Sequence, residues 1–409
     1  MTVFPLPADV RAVMERFDRA GYEIFCVGGC VRDFLRGIPP HDWDLCTSAK
    51  PDETLSVCRE YPCIPTGIRH GTVTVLTDTK RPLEITTYRI DGAYADHRRP
   101  DEVTFCTSLR EDCARRDFTV NAMAYHPTRG IMDFFGGQDD LLHGVIRCVG
   151  DPSARFSEDA LRMLRALRFA SVLGFSLDPA TAAALHAGRE ELSLIARERI
   201  LAEFRKFLSG DGAPALLDGY RDVFSVIFPE RLLPGIASAD FTALASAFPR
   251  LEKERTRTAA FLYVCSCPDA QTLLREMTAE TSFCREVSVL LREIGKSVPS
   301  DRIALRFRLR DCDPDLLADA FALCEALSLA DAGDVSRAGE LLSAVLSSGD
   351  AVRIRDLAVN GSDLQTLGIR GRAVGDVLSR LLDAVITEKC PNERDALLME
   401  AGQFSAFHE

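Results

Sequence analysis

The chain has 409 residues, 46% of them hydrophobic and 27% charged, with a formal net charge of −12 and a mean hydropathy near zero. That composition describes a globular protein with room for roughly two to four domains, and it excludes a collagenous or low-complexity chain. The acidic balance argues against a general nucleic-acid coat, because phosphate contacts need cations, but it leaves local basic patches open.

The amino-terminal stretch "MTVFPLPADVRAVMERF" lacks a basic segment followed by an apolar one, and no apolar run approaches the ~18 to 20 residues that span a bilayer, so a cytoplasmic protein is expected. Fourteen cysteines in such a chain read as reduced thiols filling small apolar spaces. The close pairs Cys26/Cys30 and Cys265/Cys267 lack zinc-site spacing, and neither is followed by a suitable second pair.

From Tyr22 to about Val149 the pattern is mixed α/β, with short β-rich runs such as "YEIFCVGG", "HGTVTVLT", "LEITTYR" and "DEVTFC" between Gly, Pro and charged turns. In "GGCVRD", Gly28 and Gly29 allow a phosphate to approach the backbone closely, Arg32 is spaced to bind a phosphate oxygen, and Asp33 is placed to orient it. "HDWDL" sets Asp42 and Asp44 on one side of a strand, about 7 Å apart at Cβ. Two unit charges about 4 Å apart at an effective dielectric of ~20 repel by about 4 kcal/mol, so a pair held ionised in a partly enclosed site calls for a cation. Oxygen ligands favour Mg²⁺ or Mn²⁺ over zinc. Glu84 lies in the apolar run "LEITTYR", where an unpaired carboxylate is costly. Beside Asp42 and Asp44 it would complete a carboxylate triad for two Mg²⁺ ions, one activating a hydroxyl and one steadying pyrophosphate. His70 reads as a structural hydrogen-bonding residue.

"LREDCARRDFTVNAMAY" places Arg115 and Arg116 before an expected helix cap at Asp117, where they could clamp a triphosphate, with Asn121 one turn on. After Asp151 the character becomes helical. "SEDALRMLRALRF" reads as a helix starting at Ser157, with Asp159, Arg162 and Arg165 spaced three apart on one face. A carboxylate beside a guanidinium offers the acceptor and donor needed to read a base edge. The basic clusters, including "RFRLR" at Arg306 to Arg310, read individually as solvated faces paired with nearby acids.

The segments "GGCVRDFLRGIPPHDWDLCTSA", "TGIRHGTVTV", "LEITTYR", "YADHRRP", "ARRDFTVNAMAY", "MDFFGG", "IRCVGDPSARFSEDALRMLRALRFA" and "RERILAEFRK" stand in the order found in class II tRNA nucleotidyltransferases, which this chain resembles through roughly its first 210 residues. "LAVNGSDLQTLGIRGRAVGDVLSRLLDAV" looks like that family's tail. The resemblance implies an α/β head of the polymerase-β nucleotidyltransferase type over residues 1–150, a nucleotide-selecting helical neck over 151–210, a helical body over 211–330 and a tRNA-docking tail over 331–409, in a seahorse-like whole. It implies addition of CCA to the 3′ end of tRNA from CTP and ATP with Mg²⁺. Asp42 and Asp44 would be the metal carboxylates and Glu84 the third acid. Gly28, Gly29, Arg32, Arg115 and Arg116 would handle the triphosphate, while Glu158, Asp159 and Arg162 would select the base, with Glu158 fixing the arginine. Tyr88 to Pro100 matches the loop associated with adding the final A. Trp43 departs from the smaller apolar residue usual between the two aspartates, and residues from about 211 to 350 show little that matches. A poly(A) polymerase, an A-adding enzyme of partial specificity and an inactive RNA-binding scaffold are the alternatives. A poly(A) polymerase would often carry a basic C-terminal extension, and a scaffold would be expected to lack Asp42 or Asp44. The only His-Asp dipeptide is His41-Asp42, so no second phosphohydrolase site is expected.

Overall fold

The computed structural model describes residues 6–91 and 103–405, and the chain divides into two compact units, Met1–Ser238 and Ala239–Glu409. Most of the segment from Tyr88 to Pro100, residues 92 to 100, lies outside the described residues.

The first unit opens with α1 (Ala8–Arg19), whose Val10, Val13, Met14 and Phe17 repeat at helical spacing and are buried. There follow β1 (Ile24–Val27), α2 (Gly29–Leu35), β2 (Asp44–Thr47), α3 (Pro51–Val57), β3 (Cys63–Gly67), β4 (Thr72–Leu76), β5 (Pro82–Thr87), β6 (Arg89–Asp91), β7 (Val103–Phe105), α4 (Leu109–Ala114), β8 (Met123–His126), β9 (Gly130–Asp133), α5 (Gly137–His143) and β10 (Val145–Ile146). Seven of the strands form one sheet in the order β3-β4-β5-β2-β1-β8-β9. β1 is buried at all four residues, as its apolar sequence and central place require. β5 alternates, with Leu83 and Ile85 inward and Glu84 outward.

One sheet face packs Cys26, Leu45, Val73 and Ile85 against α1, and Trp43 joins this cluster. The other face packs Phe25, Val27 and Cys46 against Leu109 and Cys113 of α4. Cysteine thus serves both layers as a small core residue, since Cys26, Cys46 and Cys113 are fully buried.

Helices continue the first unit: α6 (Pro152–Glu158), α7 (Leu161–Leu173), α8 (Pro179–Gly188) after the short β11 (Ser176–Leu177), and α9 (Arg197–Leu208). Here the structure departs from the expected helix start at Ser157. Asp151 caps α6, accepting from the Ala154 amide at 2.9 Å with Pro152 in the first turn, and Ser157 lies inside it. The chain breaks at Asp159 (φ −145°, ψ 102°) before α7 begins. Asp159 and Arg162 therefore do not share one helix face.

The second unit is helical among its described residues. Its "RFRLR" cluster is not a solvated face. Arg306 is 5% exposed and donates to the carbonyls of Ala351, Val385 and Ile386, tying the end of the helix Arg372–Ile386 to its own helix (Arg302–Asp311). Arg308 pairs with buried Glu293 at 2.6 Å. Among the described residues no helix is long and apolar enough to cross a membrane.

Asp9 at the start of α1 holds the turn between β4 and β5, accepting from Thr77 at 2.9 Å, Thr79 at 2.5 Å and Arg81 at 3.1 Å. Burial alone would raise its pKa, but these donors, Thr79 first, hold it at about 2, below the ordinary 3.8. A depressed carboxylate stabilises the fold above its unfolded pKa and loses that contribution as pH falls through the folded value. Asp9→Asn is therefore expected to cost about 1 kcal/mol at pH 7, allowing for solvent screening. In urea unfolding the gap between wild type and variant should shrink from pH 4 to pH 2, and a gap independent of pH would refute the latch.

Candidate active site

Parallel pairing of β2 with β5 sets Asp44 directly beside Glu84, with Val27 of β1 on the other flank of Asp44. Adjacent strands lie about 4.8 Å apart and register partners share a face, so the two carboxylates stand side by side. Trp43, 4% exposed, is fixed in the α1 layer, which turns Asp42 and Asp44 together to the opposite face. The strand itself begins at Asp44, so Asp42 belongs to the approach, yet the alternation persists across all three residues. Asp42, Asp44 and Glu84 are exposed, and none of their side chains makes a hydrogen bond or ion pair with another described residue.

Asp44 is open to solvent on one side but loses much of its hydration to the protein around it. That loss, followed by the Glu84 charge and then Asp42, lifts its pKa above the ordinary carboxylate range against the pull of Arg116. Among the described residues no three Asp, Glu, His or Cys side chains converge closely enough to enclose a metal ion. The triad expected from the sequence is thus looser than a closed cage. Small hard cations are commonly held by one or two carboxylates together with water and substrate phosphates, and the oxygen donors of Asp42 and Asp44 fit that mode.

Beside these acids, β1 turns into α2 at Gly28, whose φ of +76° suits glycine and where a Cβ would lie 3.4 Å from the Arg116 guanidinium. The Gly28 amide is already committed to the Met123 carbonyl at 3.4 Å. Gly29 opens α2, and its amide belongs to a first turn that has no helical acceptor.

Arg115 and Arg116 depend on a residue that sequence reasoning passed over. Asp112, fully buried on α4, accepts from Arg115 at 2.7 and 3.0 Å and from Arg116 at 3.3 Å. Burial would raise the Asp112 pKa, but Arg116 and then Arg115 hold it below the ordinary value. Burial likewise opposes the Arg116 charge, and Asp112 more than restores it. The available signal was the i,i+3 and i,i+4 spacing from Asp112 to the two arginines.

Arg32 donates to Asp33 at 2.9 Å and to Asn121 at 2.8 Å, and lies over the Phe169 ring at 5.3 Å. Asn121 continues to Asp117 at 3.3 Å, and Asp117 receives both Nε and a terminal nitrogen of Arg165, at 2.9 and 2.7 Å. Asp117 is therefore not the expected cap, since the short turn Thr119–Asn121 follows Phe118. Instead Asp117 joins the sheet domain to α7, and Arg165 is occupied by it. Phe169 carries Arg168 over its ring at 4.0 Å as well as Arg165 at 5.5 Å, contacts that sequence reasoning also missed.

Arg162, 8% exposed, donates to Glu158 across the helix break at 2.6 Å and to the Arg115 carbonyl at 3.2 Å. Asp159 pairs with Arg199 of α9 at 3.1 Å and accepts from the Leu161 amide. The structure thus brings together Glu158 and Arg162, Arg32 and Asn121, and Asp44 and Glu84, while Asp159 is engaged toward α9.

Paired acids on a sheet flanked by a glycine turn and buried arginines define a nucleotidyltransferase, and the model described as poly A polymerase head domain matches residues 24–147. A second, described as tRNA nucleotidyltransferase domain 2, matches residues 250–401. The CCA-adding enzyme of Limosilactobacillus fermentum is 35% identical, the match covering 98% of this chain and 99% of the relative, and that of Leuconostoc mesenteroides is 35% identical over 95% and 94%. Among solved structures, the Bacillus stearothermophilus CCA-adding enzyme in complex with CTP superposes with a TM-score of 0.85 at 29% identity, covering 98% of this chain and 97% of that one. The chain belongs to the CCA-adding enzyme family. Enzymes of this family depend on a metal.

Removing Asp112 should take a buried carboxylate away from two guanidinium groups at the end of α4. Asp112→Ala is expected to lower stability by about 3 kcal/mol, as for other broken buried pairs. Asp33→Ala, at a quarter-exposed position, should cost less than about 1 kcal/mol. Equal effects in urea unfolding would contradict this ranking.

Proposed function

We propose that the protein adds C, C and A to the 3′ end of tRNA from CTP and ATP without a nucleic-acid template. The observation that carries the reading is the register pairing of Asp44 with Glu84 beside Arg116. In this reading Asp42 and Asp44 hold two Mg²⁺ ions, which when bound neutralise charge on the α-phosphate and the departing pyrophosphate. Glu84 keeps that corner negative. Arg116 and Arg32, with the Gly28–Gly29 turn, bind and orient the triphosphate so that the terminal tRNA hydroxyl faces the α-phosphate in line with the leaving group. Arg115 is held by Asp112 next to Arg116 in the chain.

Base choice falls to Arg162, aimed by Glu158, with Asp159 tying the break before α7 to α9 and Arg165 tying α7 to Asp117. A wrong base leaves buried polar groups without partners, and this is how a few hydrogen bonds discriminate strongly. The relatives solved with CTP, with ATP and with tRNA support these substrates. Because tRNA and both nucleotides are cytoplasmic solutes, we place the reaction there.

The test uses tRNA transcripts lacking three, two or one terminal nucleotides, with CTP and ATP supplied singly and together, and sequencing of the products. Stepwise completion to CCA is expected. Asp44→Asn should reduce incorporation by about a thousandfold or more, and Arg162→Ala should lose nucleotide choice as well as rate. Long A tails on unrelated RNA would instead identify a poly(A) polymerase, and incorporation of A alone an A-adding enzyme.

A further inference from the structure

The geometry points to Arg155 as a positioning residue for nucleotide choice, acting through Glu158. This rests on the reading above in which Glu158 and Arg162 select the base. Glu158 is held from two sides: Arg155 reaches one carboxylate oxygen from three residues earlier on α6, and Arg162 reaches the other from α7 at 2.6 Å. Because the chain breaks between those helices, neither a continuous helix nor its hydrogen bonds fix the carboxylate relative to Arg162. The second guanidinium supplies that constraint.

Arg155 also meets Arg162 through the backbone, since the Arg155 carbonyl accepts from Arg162 at 3.3 Å. The two guanidinium groups then reach neighbouring carbonyls at the end of α4, Arg155 to Ala114 at 3.4 Å and Arg162 to Arg115 at 3.2 Å. One carboxylate and two consecutive carbonyls thus hold both arginines side by side. The arrangement is open to a ligand, because Arg155 and Glu158 line a cavity of about 190 Å³ together with Arg115 and Glu111. With Arg155 removed, one Glu158 oxygen loses its donor, and the carboxylate and Arg162 can turn together away from the base edge.

The experiment measures kcat/KM for single-nucleotide addition, CTP against UTP and ATP against GTP, for wild type, Arg155→Met, Arg155→Lys and Glu158→Gln, with thermal melting alongside. Arg155→Met is expected to lower both discrimination ratios about tenfold, mainly by raising kcat/KM for the wrong nucleotide relative to the right one. Arg155→Lys keeps a cation for Glu158 and should recover most of that loss. A uniform fall for all four nucleotides with both ratios unchanged in Arg155→Met would assign Arg155 a purely structural role and overturn the proposal. If Arg155→Met does not fold, an Arg155→Lys ratio equal to wild type together with an unchanged ratio in Glu158→Gln would overturn it. Wild-type protein that adds neither CTP nor ATP to tRNA would sink the underlying function instead.

Discussion

Two acids in register on neighbouring parallel strands repel each other, and the architecture around Asp44 and Glu84 keeps that repulsion in place. The strands cannot slip, because a shift of one residue would drive Trp43 and Leu45 out of the α1 layer and Asp44 into it. The burial of one side of the sheet thus enforces the charge density on the other. Arg116 supplies partial compensation, and Asp112 in turn keeps Arg116 charged despite its burial. The apolar layer and the arginines thus together hold negative charge at this corner of the sheet, where the proposed function places a polyphosphate and its cations.

The arginines are organised by the same rule on a larger scale. Arg115 and Arg116 are held by Asp112 of the helix they terminate, and three more guanidinium groups by acceptors from other elements: Arg32 by the Asn121 amide oxygen, Arg165 by Asp117, Arg162 by Glu158 and the end of α4. Such fork-shaped donors lose little further freedom on meeting a ligand, because their side chains are ordered beforehand. The cost is a dense set of like charges around Phe169, whose ring lies beneath three of them, and the Arg165 charge acts against that of Arg168.

Much of this was legible in the sequence because it was written in short, local patterns. The Asp-Trp-Asp alternation foretold which face the acids share, and the run around Glu84 marked a carboxylate whose charge had to be accommodated, which the alternation of β5 does by turning it outward. What escaped was set by tertiary contact or by competing local signals. Ser157 followed by two acids resembles a helix start, but Asp151-Pro152 caps the chain sooner, and a seven-residue helix then ends where the pattern seemed to begin. Asp117 looked like a cap because its partner, Arg165, lies 48 residues away. Arg306 looked solvated because the carbonyls that bury it come from a segment some 45 to 80 residues further on.

Trp43 is the sole tryptophan in the chain. Its indole lies in the wall behind Asp42 and Asp44, shielded from water, so all tryptophan emission of the polypeptide originates one residue from either acid. Excited at wavelengths that tyrosine does not absorb, it is a single built-in optical reporter whose surroundings include the charges of the two neighbouring acids.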